Sequence, residues 1–144
     1  MKLRIDHEEM MDRFYDETRL MGIVAPMEGY KFCWQINRLL NFDFRIVPEM
    51  ELSMNKKGRN YFFSIYVFSQ PSTSVSHFLY SNHDDGEYLL PELRHFDFLW
   101  LVKFNKVDED EMKLFIDSLR TIPVLQMVTE LSIEKIKNRE NLFF

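Results

Sequence analysis

The residues that could carry chemistry are few and scattered. Nucleophilic catalysis needs a thiol or hydroxyl beside a base, but the one cysteine, Cys33, lies in an apolar stretch where Lys31 is the only charged residue within one helical turn. This setting favours a buried and unreactive thiol. The four histidines show no paired spacing of the kind that zinc sites use, since they are His7, His77, His83 and His95.

A second group of polar residues surrounds Gly86. Carboxylates at Asp84, Asp85 and Glu87 beside His83 could bind calcium or magnesium. However, Asp-Gly is also typical of a tight hairpin turn, and we favour the turn. We expect no bound metal. Because the four glycines of the chain stand alone, no phosphate-binding loop is indicated either, and we expect no cofactor.

A third group follows Pro91, which cannot donate a backbone hydrogen bond and therefore interrupts strand pairing. Glu92, His95 and Asp97 could form an acid-base site. Alternatively, the two carboxylates could accept hydrogen bonds from backbone amides around the break at Pro91. We favour the second interpretation, because three polar residues in six positions need not converge on one point.

The same stretch carries a family resemblance. Leu90-Pro91-Glu92 and Asp97-Phe98 resemble the signature of the uncharacterised bacterial IPExxxDY family, with Leu in place of Ile and Phe in place of Tyr. Four residues separate Glu92 from Asp97, where the family name counts three. The resemblance implies a small bacterial cytosolic protein without an assigned activity, and it supplies no catalytic residues.

Composition narrows the class of protein. The chain has 144 residues, of which 46% are hydrophobic and 15% aromatic, and its net charge is −5. This length favours a single domain over residues 1–144, and the negative charge disfavours nucleic acid as a partner. The charged amino terminus argues against a signal peptide, and the lack of a long apolar run argues against a membrane span. We therefore expect a cytoplasmic protein.

Apolar periodicity predicts the elements. A helix should end near Leu40 with Cys33 and Ile36 on its buried side, and a second should run from Asp108 to Thr121. A weaker helix, with Asp6 and Glu9 as a capping pair, is expected to run through Tyr15. Strands are predicted by period-two runs or by β-branched and aromatic residues in the segments Met1–Ile5, Phe42–Ile46, Tyr61–Phe68, Val75–Tyr80, Glu87–Leu90, Phe96–Phe104 and Val124–Leu131.

Two details of these strands affect the predicted packing. Phe96, Phe98, Trp100 and Val102 should share one face, and the segment from Phe96 to Leu131 reads as strand, helix, strand. Together the elements predict an α+β fold in one domain, with a mostly antiparallel sheet of about five to seven strands and helices packed against it.

Three functions remain open. The first is a noncatalytic interaction module that forms a homodimer, because two aromatic strands could leave one sheet face uncovered. The second is a regulatory domain that binds a small molecule, since the helix, Ile122-Pro123-Val124, strand passage resembles the same turn of amino-acid-binding regulatory domains. An enzyme that uses Glu92, His95 and Asp97 is the least supported.

One prediction concerns the helix that begins at Asp108. Met112, Phe115, Ile116 and Leu119 lie on one helical stripe, so Phe115→Ala should lower the free energy of unfolding by about 3–5 kcal/mol. Denaturant unfolding measures this loss. A loss below about 1 kcal/mol would show that the stripe does not face the core.

Overall fold

The computed structural model describes residues 9–10, 12–104, 106 and 108–142. They form one α+β domain built on an antiparallel sheet, so the predicted fold class is confirmed. The predicted strand Met1–Ile5 lies outside the described residues. Residues 9–10 and 12–15 are helical, in agreement with the weak helix expected through Tyr15.

Two longer helices and ten strands follow within the part of the chain that the structure describes. The helices are α1 (Gly29–Leu40) and α2 (Glu109–Leu119). The strands are β1 (Thr18–Val24), β2 (Arg45–Ile46), β3 (Leu52–Lys56), β4 (Arg59–Phe63), β5 (Ile65–Ser69), β6 (Ser76–Ser81), β7 (His83–Asp84), β8 (Glu87–Tyr88), β9 (Phe98–Lys103) and β10 (Met127–Leu131). Short 3₁₀ turns cover Pro48–Met50, Pro91–Leu93, Ile133–Lys135 and Arg139–Leu142.

The main sheet has six strands in the order β10-β1-β9-β6-β5-β2, and each neighbouring pair is antiparallel. Since β1 is antiparallel to both β9 and β10, those two strands run in the same direction with β1 between them. The passage β9, α2, β10 is therefore the crossover that the sequence indicated. Two separate hairpins, β3-β4 and β7-β8, lie outside this sheet.

One face of the sheet is covered by the two helices. The Asp108 side chain begins α2 by accepting hydrogen bonds from two backbone amides of the first turn. Both helices place their apolar stripes on β9 and its neighbours. The buried residues that they contribute are Phe32, Cys33 and Ile36 from α1 and Met112 and Leu119 from α2. Phe115 is half-buried against Trp100.

The second face is covered without a long helix. The β3-β4 hairpin, the segment around Leu90 and the carboxy-terminal 3₁₀ turns enclose a separate core around Tyr80, Leu99 and Leu101. The expectation that one sheet face would stay uncovered is therefore wrong for the described residues. The reason is that irregular segments, which periodicity does not detect, supply the apolar side chains. The homodimer prediction consequently loses this basis.

Several predicted strands differ from the observed ones. The run Tyr61–Phe68 divides at Ser64 into β4 and β5, which belong to different sheets. Only Arg45–Ile46 of the predicted strand Phe42–Ile46 is paired, and Ile46 is exposed. In β10 the buried residue is Val128, whereas Met127 is exposed.

Phe96 also lies on the opposite face from the predicted one. Phe98, Trp100 and Val102 share the helix-covered face, whereas Phe96 packs on the second face against Gly22. A Cβ atom at Gly22 would lie 2.7 Å from the Phe96 ring. Phe96 precedes β9, so the alternation of the strand does not extend to it.

His77 is buried in the helix-covered core. Its Nδ1 accepts a hydrogen bond from Trp100 Nε1 at 3.0 Å, and its Nε2 has no partner among the described residues. Uncharged aromatic rings surround it, namely those of Phe42, Phe44, Phe68, Trp100 and Phe115. Burial disfavours the imidazolium and lowers the pKa of His77 from 6.5 to about 4.

This pKa shift predicts a pH-dependent stability. Between pH 6.5 and about 4 the unfolded chain binds a proton at His77 that the folded chain does not bind. Stability attributable to this group is therefore complete above pH 6.5, falls as the pH decreases, and is lower by about 3 kcal/mol once the pH reaches the folded pKa.

The check is urea unfolding at several pH values between about 7.5 and 5. His77→Gln keeps an acceptor for Trp100 and does not titrate. The stability of this variant should therefore fall less steeply below pH 6.5 than that of the wild type, and the difference in slope should correspond to the binding of about one proton. Equal slopes for the two proteins would contradict the assignment.

Candidate functional site

Asn82 organises residues 89–97, an irregular segment that contains Leu90-Pro91-Glu92 and that we call the motif segment; Leu90-Pro91-Glu92 and Asp97 are its proline motif. This side chain is fully buried after β6. Its Nδ2 donates to the carbonyl oxygens of Leu93 and Phe96 at 3.0 Å, and its Oδ1 accepts from the Leu90 amide at 2.9 Å. The Asn82 carbonyl accepts from the Leu89 amide. One asparagine thus satisfies the backbone of a segment that has no strand partner of its own.

Glu92 connects this segment to the carboxy-terminal region. Its carboxylate accepts hydrogen bonds from the Asn138 amide at 2.9 Å and from Asn138 Nδ2 at 3.2 Å. Glu92 is exposed, whereas the adjacent Leu90 is fully buried in the second core. Pro91 begins the 3₁₀ turn between them, as its fixed backbone angle favours.

Asp97 connects the same segment to the end of β1. Its Oδ2 accepts from the Ala25 amide at 2.8 Å, its own amide donates to the Ile23 carbonyl, and its carbonyl accepts from the Asn82 amide. Phe98 then begins β9 and stacks on Phe32 of α1 at 4.9 Å between ring centroids. Both carboxylates of the motif therefore bind backbone amides, but amides of distant segments rather than of the break at Pro91.

The three residues of the enzyme hypothesis do not share one cavity. Asp97 lines a cleft at the end of the sheet, whereas Glu92 and His95 are exposed and do not line it. Cys33 also lacks a base, and burial raises the pKa of its thiol to about 12. Nothing in this arrangement activates a nucleophile.

The segment His83–Gly86 forms the predicted hairpin turn. Asp85 and Gly86 both have positive φ, as a tight hairpin requires. His83 Nε2 accepts from the Gly86 amide, and Asp84 Oδ2 accepts from the Phe62 amide. Within the described ranges, no group of three or more metal-ligating side chains is placed to bind an ion.

The cleft at the end of the sheet has a volume of about 630 Å³. It lies where β6 ends and β5 and β9 begin, and the start of α1 closes one side. The β7-β8 hairpin and the motif segment form the other side. Its lining combines rings, carboxylates and one guanidinium: Tyr30, Phe62, Tyr66, Tyr88, Phe96 and Phe98, then Glu28, Asp84 and Asp97, then Arg94.

Tyr66 is the most distinctive residue of this cleft. It is only 8% exposed, and its hydroxyl has no hydrogen-bond partner within the described part of the chain. Its ring approaches α1 so closely that a Cβ atom at Gly29 would lie 2.9 Å from the hydroxyl oxygen. Burial raises the pKa of Tyr66, and Cys33 and Glu28 raise it further, so the hydroxyl keeps its proton at neutral pH.

A larger depression of about 800 Å³ lies near the amino-terminal helical residues. Several of its polar groups already have partners. Arg19 pairs with Glu109 and Glu130, and the Tyr15 hydroxyl donates to the Arg139 carbonyl. Because these groups already have partners, this depression offers less to a ligand than the cleft does.

The sequence did not reveal Asn82 or Tyr66. Asn82 precedes a turn, where an asparagine is ordinarily exposed, and Tyr66 falls within an aromatic run whose members resemble one another. The available signal was Gly29 at the start of α1, since a glycine there permits a close approach by another group. The motif residues were found, but their partners Ala25 and Asn138 lie far away in the chain.

Comparison with known proteins returns no similarity that could assign a function, since no family model, curated protein or solved structure matches the chain. The described residues also contain no helix with the length and hydropathy needed to cross a membrane.

The role of Asn82 yields a stability prediction. Asn82→Ala leaves two carbonyls and one amide of the motif segment without their partner, and should lower the free energy of unfolding by about 3–5 kcal/mol. Asn55 is a matched control because its amide bonds only the exposed Asn60, so Asn55→Ala should cost less than about 0.5 kcal/mol. Similar losses in urea unfolding would contradict the role of Asn82.

Proposed function

We propose that the chain is a noncatalytic interaction module that associates with a second copy of itself through the outer side of α1 and α2. The observation that carries this proposal is the set of large apolar side chains exposed on these two helices. Tyr30 is 58% exposed, Trp34 is 57% exposed and Leu114 is 67% exposed. Three such residues on one helical layer favour contact with another protein surface.

The exposed residues form two stripes. On α1, Tyr30, Trp34 and Arg38 follow one another at four-residue spacing, and the Arg38 guanidinium lies 5.2 Å from the Trp34 ring. On α2, Leu114 lies between Glu111 and Asp117 at three-residue spacing. We define these sets as the α1 stripe and the α2 stripe. Each combines an apolar centre with charged residues, as interfaces commonly do.

The charges of the two helices are complementary. The range of α1 contains Lys31 and Arg38 and no carboxylate, whereas α2 contains four carboxylates and Lys113 as its one basic residue. A two-fold axis between the helices would place each α1 stripe on the α2 stripe of the partner. Each contact between the stripes then occurs twice in the dimer, so its contribution to the association free energy is counted twice.

The two helices supply part of the area that a dimer needs. The two helices have 12 and 11 residues, so each is about 17 Å long, and together they present several hundred Å². One side of a stable interface buries about 800 Å². Leu39, a further exposed residue of α1, adds to this surface.

The enzyme alternative receives less support. The carboxylates of Glu92 and Asp97 are hydrogen-bonded to backbone amides of separate segments, and His95 is exposed away from the cleft. These roles are explained by the fold. The small-molecule alternative does not gain from the Ile122-Pro123-Val124 turn, which does not line the cleft.

The proposal extends to origin and location. We propose a cytoplasmic protein of the bacterial IPExxxDY family, supported by the motif residues Leu90 to Phe98 and by Cys33, the single cysteine, which is buried as a free thiol. The net charge of −5 supports a protein partner rather than nucleic acid.

Light scattering over a range of concentrations tests the association. The wild-type chain should approach about 35 kDa, twice its mass of 17.5 kDa, at high micromolar concentration. Trp34→Ala should shift the midpoint at least about tenfold, because interface tryptophans commonly dominate binding. Met127→Ala is the control, since Met127 is comparably exposed on β10 and should leave the midpoint unchanged.

Charge reversal tests the pairing of the stripes. A Lys31→Glu, Arg38→Glu variant and a Glu111→Lys, Asp117→Lys variant should each remain monomeric alone because like charges then face one another. Mixed together, they should form a heterodimer, since both contacts become complementary again. A wild-type mass of 17.5 kDa at every concentration, or no heterodimer, contradicts the proposal.

A further inference from the structure

We infer that the cleft at the end of the sheet is a binding site for a small molecule that carries a protonated amine. This inference does not depend on the proposed self-association, because Tyr30 is the one cleft residue that also belongs to a helix stripe, and Glu28, Tyr66 and Asp84 do not. It is carried by the charge of the lining, by its rings and by Tyr66, a largely buried residue whose hydroxyl faces the cleft and has no hydrogen-bond partner among the described residues.

The charge of the lining favours a cation. Three carboxylates, those of Glu28, Asp84 and Asp97, face a single guanidinium, that of Arg94, so the charged lining is net −2 with His83 neutral. The Asp84 and Asp97 carboxylates each use one oxygen to accept a backbone amide. Each therefore keeps an oxygen for a ligand, and the Glu28 side chain makes no capping bond. An ammonium group donates up to three hydrogen bonds and matches such acceptors.

The rings favour an organic cation over a metal ion. Tyr30, Phe62, Tyr66 and Tyr88 line the same volume as the carboxylates. Aromatic faces attract ammonium groups and also pack against the methylene groups that carry them. The described residues contain no cluster of metal ligands here. The volume of about 630 Å³ falls within the range of small-molecule sites.

Tyr66 is the observation that points independently to a ligand. A phenol that is more than nine-tenths buried ordinarily has a hydrogen-bond partner. The Tyr66 hydroxyl has none among the described residues, although it lies at the wall of the cleft beside Gly29. A bound molecule would supply the missing partner.

Arg94 separates two sources of the amine. Its guanidinium has no ion pair or hydrogen bond in the described part of the chain, so it could bind the carboxylate of an amino acid. A free diamine would not use it. Lysine and cadaverine are suitable probes, because they differ only by the carboxyl group, and glutarate is a control of the same length without an amine.

Calorimetric titration of the full chain with these three probes is the test. We expect saturable binding of lysine, cadaverine or both, no binding of glutarate, and weaker binding at higher salt. Lysine binding that Arg94→Gln weakens identifies the amino acid as the better ligand. Cadaverine binding that Arg94→Gln leaves unchanged or strengthens identifies the free amine.

Three variants locate the site. Tyr66→Phe should weaken binding about three- to tenfold without unfolding the protein, because the hydroxyl bonds no other group in the described chain. Glu28→Gln and Asp84→Asn should weaken it by a similar factor, and the amide oxygen of the second can still accept from Phe62. Glu134→Gln, an exposed carboxylate of the other depression, is the matched control and should change nothing.

Two results would overturn the inference: no saturation by either amine below about 10 mM, or equal affinity in wild-type, Tyr66→Phe and Asp84→Asn proteins. Because Trp34→Ala removes the proposed self-association without touching the cleft, amine binding by that variant separates this inference from the proposed function.

Discussion

Strand β9 imposes the constraint on which the rest of the structure depends. Its first five residues, from Phe98 to Val102, are all buried, so the strand is apolar on both faces and lies between β1 and β6. An antiparallel sheet with such a central strand must be covered on both sides. The two helices cover one side, and the β3-β4 hairpin and the 3₁₀ segments cover the other.

Covering a sheet with irregular segments creates a second requirement. A helix satisfies its own backbone hydrogen bonds, but the segment from Leu89 to Asp97 does not, and it is packed against the core. Asn82, which precedes the segment, and Asp97 at its end supply part of what the backbone lacks, and Glu92 fixes the segment to Asn138. The proline motif therefore allows an irregular segment to cover the second face of the sheet.

The contrast between regular elements and irregular segments explains which features could be predicted from the sequence. Helices α1 and α2 and the turn at Gly86 are determined by local periodicity, capping and positive φ, and all three were predicted from the sequence. The break at Ser64, the face of Phe96 and the burial of Val128 depend on which strands meet. A run such as Tyr61–Phe68 satisfies the strand pattern throughout, so its composition does not locate the division between two sheets.

The same reasoning accounts for the candidate site. The residues of the cleft come from α1, β4 to β8 and the motif segment, so no local pattern joins them. They meet because the helices on one face and the irregular segments on the other both stop covering the sheet at the same end. At this end neither of them covers the hydroxyl of Tyr66 fully. The Tyr66 side chain is packed into the protein, but its hydroxyl opens into the cleft and no described residue forms a hydrogen bond with it. Fold stability thus explains the two carboxylates of the motif, but it does not explain Tyr66. This difference separates the residues that build the cleft from the one that indicates its use.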